Sequence, residues 1–154
     1  FLDAYAFSTE AVVGYTIGRR NKNSFLKVVS NSFQLSILSG LIISIIYLFS
    51  FETIINELTN LDYLKFLTFN YIFWIVVIPP VASICYQFDG IFIGASQTAE
   101  MRNGMLISVF FFIISSDFLI NNFGNHGLWL SLLFFMVLRS ITLNYYFNRI
   151  LNKF

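Results

Sequence analysis

The chain has 154 residues, of which 57% are hydrophobic and 11% charged, with a formal net charge of +1. Soluble domains carry about 25% charged residues, so lipid is the solvent that this composition and a mean hydropathy of +0.74 fit, which excludes an ordinary soluble domain. The near-neutral balance gives no sign of nucleic acid as a partner, and the single cysteine, Cys85, excludes an internal disulfide or a multi-cysteine metal cluster.

Phe1-Leu2-Asp3 does not read as a start of translation, and no basic stretch leads into an apolar one with a cleavage site. The sequence is therefore expected to be a fragment without a signal peptide. A bilayer core about 30 Å thick takes roughly 20 residues of helix. Five segments approach or exceed that length: 2–18, 28–50, 64–97, 104–121 and 127–148. Polar breaks separate them at Arg19 to Asn23, Glu52 to Asp62, Thr98 to Asn103 and Asn121 to His126. These features predict an all-α integral membrane protein of five transmembrane helices in one domain, 1–154.

In the first segment Asp3, Glu10, Gly14 and Gly18 fall on one narrow arc at about 100° per residue. Such an acidic face of small residues predicts close approach of a neighbouring helix. A carboxylate in a membrane costs about 2.5 to 3.5 kcal/mol on insertion scales, so Glu10 is expected to face protein. The third segment would run about 50 Å if straight and must tilt, bend or protrude. Pro79-Pro80 supplies a cause for a bend, and the carbonyls it frees need partners in protein or a water-filled cavity.

Below the prolines comes Tyr86-Gln87-Phe88-Asp89-Gly90-Ile91-Phe92-Ile93-Gly94, an acid beside two glycines four apart. Asp89 is the candidate to take up and release a proton, or to hold a cation when ionised, and the alternative is a polar pin between helices. Gly90 and Gly94 are candidates for close helix packing. Arg139 lies too deep in the last segment for easy snorkelling and requires a counter-charge, for which Asp89 and Glu10 are the candidates. His126 is read as a solvated turn residue. The three Met and Cys85 are read as packing.

Arg19, Arg20, Lys22, Lys27, Arg102, Arg149 and Lys153 fall on one side of this topology and Lys65 on the other, which predicts a cytoplasmic C-terminus. Paired-histidine zinc motifs, nucleophile elbows and phosphate-cradling glycine loops are absent from the sequence, so neither catalysis nor a cofactor or metal is expected.

Three stretches, taken together and in this order, resemble the DinF-like branch of the multidrug and toxic compound extrusion (MATE) transporters. They are Ala4-Tyr5-Ala6-Phe7-Ser8-Thr9-Glu10 running on to Arg19, Phe88 to Ala95 with Met101-Arg102-Asn103, and Gly124-Asn125-His126-Gly127-Leu128-Trp129. The resemblance implies that the five segments correspond to helices eight to twelve of a twelve-helix transporter, a partial C-terminal lobe whose N-terminal lobe is missing. It implies an antiporter of the bacterial inner membrane, driven by protons or sodium, that exports amphipathic or cationic compounds by alternating access. Asp89 is similar in position to an acid of the tenth helix that binds the coupling cation in the NorM branch. On this reading Asp89 and Glu10 serve coupling, and Arg139, Tyr86 and Gln87 shape the cavity. Pro79, Pro80, Gly90, Gly94, Gly14 and Gly18 supply bends and close packing. The competing functions are a lipid-linked precursor flippase of the same superfamily and a non-transporting membrane subunit.

Overall fold

The computed structural model describes residues 2–154 as a run of six α-helices. They are α1 (Leu2–Gly18), α2 (Lys22–Leu58), α3 (Asp62–Phe69), α4 (Ile72–Gly94), α5 (Thr98–Phe123) and α6 (Asn125–Leu151). Four of these, α2, α4, α5 and α6, are long and apolar enough to cross a membrane, so the expectation of five spans is corrected to four. At 17 residues, with Asp3, Ser8, Thr9 and Glu10 along it, α1 falls short of that standard. It packs on α2 and α4, with Thr9 buried and Asp3 and Ser8 exposed.

Two further boundaries differ from the sequence reading for one physical reason: hydropathy marks where the bilayer lies, whereas helix continues wherever the backbone can bond to itself. Thus α2 begins at Lys22, with the Asn21 side chain accepting from Ser24 N at 3.0 Å as its cap, and continues through Glu52 to Leu58. The over-long third segment is relieved by a break at Asn70-Tyr71 that divides it into α3 and α4. Both prolines lie inside the unbroken α4.

At the centre α4 packs against α1, α2 and α6, while α5 pairs chiefly with α6. The apolar core gathers toward the end that carries the α1–α2 corner, around Phe25, Phe88, Ile91, Phe92, Leu143 and Ile150. The corners after α1 and α4 are built alike. Arg20 and Ser96 take left-handed φ of 50° and 53°, and the next amides, Asn21 N and Gln97 N, close on Thr16 O at 3.1 Å and Phe92 O at 2.9 Å. These i-to-i−5 closures satisfy carbonyls that each helix end would leave orphaned. The second corner is also clamped by the end of α6. Arg149 pairs with the buried Glu100 at 3.0 Å, and Lys153 Nζ donates to Ala95 O at 2.6 Å.

Candidate functional site

The site begins where α1 crosses α4. A Cβ on Gly90 would overlap the backbone carbonyl of Ala6, and one on Gly94 would overlap that of Glu10, so this crossing requires bare backbone at both positions. The partner face of α1 is Ala6, Thr9, Val13 and Thr16, about a third of a turn from the arc the sequence suggested. A Cβ on Gly14 would meet Gly94 O only in ordinary contact at 3.4 Å, and one on Gly18 would meet nothing within 4 Å, which removes Gly18 from the close-packing set. Asp3 is exposed and Glu10 half-buried, and Glu10 makes no ion pair among the described residues.

The next layer is the proline pair. Pro80 has no amide to give to the carbonyl of Val76 four residues earlier. Ser44 Oγ of α2 takes that carbonyl instead at 2.6 Å, and Ser36 Oγ donates to Ser83 O at 3.2 Å. Between the two serines Gly40 lets α2 lie directly on Pro79 and Pro80, where a Cβ would come within 3.0 Å of both. The irregular backbone in α4 is thus held by protein on the α2 side. On the other side Pro79 lines an open cleft of about 540 Å³.

That cleft lies among α1, α2, α4 and α6, and its lining includes Tyr47, Tyr86, Trp129, Met136 and Asp3. Its size is within the range of small-molecule sites, and Asp3 is the one ionisable carboxylate among its lining residues. Tyr86 is therefore on the cleft, whereas Gln87 turns away from it, fully buried, and its Nε2 donates to Thr9 Oγ1. Among the described residues Gln87 Oε1 finds no hydrogen-bond donor.

About one turn along α4 and α6 from the cleft residues Tyr86 and Met136, Arg139 Nη2 donates to Asp89 Oδ1 at 2.8 Å. Of the two acids open to Arg139, the fold supplies Asp89. The pair is single-pronged: Nη1 rests on Met105 Sδ at 2.8 Å, and Nε is buried with no hydrogen-bond acceptor among the described residues. Only weak or missing acceptors share the guanidinium with Asp89. Any proton or cation that binds Asp89 must therefore compete with Arg139, and any group that draws Arg139 away frees the carboxylate.

Several contributors escaped the sequence reading. Tyr47 and Met136 on the cleft, Met105 under Arg139, and Thr9 against Gln87 carry no motif. Trp129, which closes the third stretch that carries the family resemblance, lines the cleft as well. His126, though exposed, is no free turn residue: its Nδ1 accepts from Trp74 Nε1 at 3.0 Å and its ring lies 4.8 Å from that of Tyr71. Among the described residues no three His, Cys, Asp or Glu converge as a metal site.

This chain is similar to the DNA damage-inducible protein F of Escherichia coli K12, with 37% identity over 142 residues that cover 92% of the chain. That relative is a MATE-family member, and the similarity is consistent with a DinF-like MATE fragment. It spans 31% of the length of that relative. No family model matches the chain, and no solved structure does.

Proposed function

We propose that this chain is part of the C-terminal lobe of a MATE-type efflux transporter, a cation-coupled antiporter that completes its pathway with an N-terminal lobe outside this sequence. The observation that carries the proposal is the Asp89–Arg139 pair at 2.8 Å beside an open aromatic cleft. Asp89 is the coupling carboxylate: binding a proton or sodium ion releases Arg139, and loss of that ion restores the pair. Exchange between the two states gives the lobe two arrangements that an ion gradient can bias. The cleft, with Tyr47, Tyr86 and Trp129 around Asp3, suits an amphipathic cation through apolar burial, cation–π attraction and one opposite charge. Glu10, whose backbone touches Gly94, is a secondary acid rather than a partner of Arg139. The protein acts as a transporter and not as an enzyme. The bias of Lys and Arg toward the α1–α2 and α4–α5 corners and the end of α6 supports a cytoplasmic C-terminus, and the similarity to the Escherichia coli relative supports a bacterial inner membrane.

A flippase for lipid-linked precursors would need cationic groups free for a phosphate, and Arg139 is engaged by Asp89. The deciding experiment is ethidium efflux from cells stripped of their own exporters, expressing the whole protein with and without Asp89→Asn. The proton gradient is collapsed or sodium replaced in parallel. Efflux is expected to need one gradient and Asp89, and unchanged efflux in the variant would remove the coupling role.

A further inference from the structure

We propose that α3 is a membrane-boundary helix whose partner is the lipid headgroup layer at the end of the bundle away from the basic corners. Its eight residues rise about 12 Å, far short of a crossing. Around its axis Tyr63, Leu64, Phe66 and Leu67 take one side and Asp62, Lys65 and Thr68 the other. An amphipathic helix on a water-bathed protein turns its apolar side to the core. Here the largest apolar groups are turned outward: Tyr63 and Phe66 are 71% and 70% exposed and Leu64 42%, while Leu67 is half-buried alongside Lys65 and Thr68. No residue of α3 is buried, and Phe69, 5.3 Å from the ring of Phe51, holds its C-terminal end to α2.

Three observations select lipid as the occupant. The helix joins the ends of α2 and α4, both long and apolar enough to span a membrane, so its level is that of a membrane surface. Its outward side offers phenyl and phenol rings, the chemistry that favours the boundary between acyl chains and headgroups. Its polar edge carries one acid and one base, Asp62 and Lys65, so the attraction comes from the rings and not from anionic lipid. Anchored in this way, α3 fixes the level of the start of α4, the helix that carries Pro79, Pro80 and Asp89. The inference rests on the multi-pass membrane character of the chain and is independent of any transported compound.

The test places Tyr63→Cys, Lys65→Cys and Phe66→Cys singly in the full-length protein with Cys85→Ala, attaches a nitroxide, and reconstitutes each variant in phosphatidylcholine vesicles. Cys85 is 5% exposed and can stay in place if its replacement lowers the yield. Relaxation by oxygen, which concentrates in lipid, is compared with relaxation by a water-soluble nickel chelate. Oxygen is expected to dominate several-fold at positions 63 and 66, and nickel at 65. Nickel dominating at 63 and 66 would put α3 in water, and exclusion of both reagents there would put it under protein; either result overturns the proposal.

Discussion

Replacing Arg139 by Met should destabilise the folded protein by about 3 kcal/mol, because it strands Asp89 among helices. The pair is mostly out of water, with side chains 12% and 16% exposed for Arg139 and Asp89. Two unit charges about 4 Å apart attract by about 4 kcal/mol at an effective dielectric of about 20, and removing one partner of a buried pair costs about 3 to 5 kcal/mol. The lower end applies here because a single bond of 2.8 Å joins the groups and residual exposure screens them. About 3 kcal/mol is roughly a hundredfold change in the folded-to-unfolded ratio. Asp89→Asn keeps an oxygen that can accept from Nη2 but leaves the Arg139 charge uncompensated, so it should cost about 1 to 3 kcal/mol and leave insertion intact. The double replacement Asp89→Leu with Arg139→Met removes both charges and should return to within about 1 kcal/mol of the parent. Titration from dodecyl maltoside into mixed SDS micelles, followed by loss of helicity, measures all four proteins. A stability for Arg139→Met within about 0.5 kcal/mol of the parent, or a double variant worse than that single one, would refute the reasoning.

At the α1–α4 crossing, Gly90→Ala and Gly94→Ala should each lose about 1 to 3 kcal/mol in the same titration, because their Cβ atoms overlap the backbone of Ala6 and Glu10. Gly18→Ala, with open space around it, should stay within about 0.5 kcal/mol of the parent. Ser44→Ala leaves the Val76 carbonyl beside Pro80 without its donor and should cost about 0.5 to 2 kcal/mol. Ser44→Thr, which keeps the hydroxyl, should recover part of that loss.

The all-helical membrane character was legible because lipid constrains composition over whole segments, and 2–18 matches α1 to the residue. The count of spans was not, because α1 earns its place through contacts with α2 and α4 rather than through apolarity. The break at Asn70-Tyr71 lies in a stretch flanked by apolar residues, where the proline pair drew attention nine residues downstream. Those prolines do not end α4, since Ser44, thirty-two residues before Val76, satisfies the Val76 carbonyl that Pro80 frees. Asp89 and Arg139 were visible as charges in apolar sequence, but the choice of Asp89 over Glu10 as partner depends on how α4 faces α6. The α1 face was misjudged because polarity was read as contact. The glycines that matter are on α4, and they press on α1 backbone that carries no signature of its own.

The account stands most directly on counterflow in vesicles. The full-length protein is reconstituted with and without Asp89→Asn, an inward proton or sodium gradient is imposed in turn, and dye movement is recorded. One gradient is predicted to drive outward dye movement in the parent and to fail in the variant. Equal movement in both proteins, or none in the parent under either gradient, would contradict it.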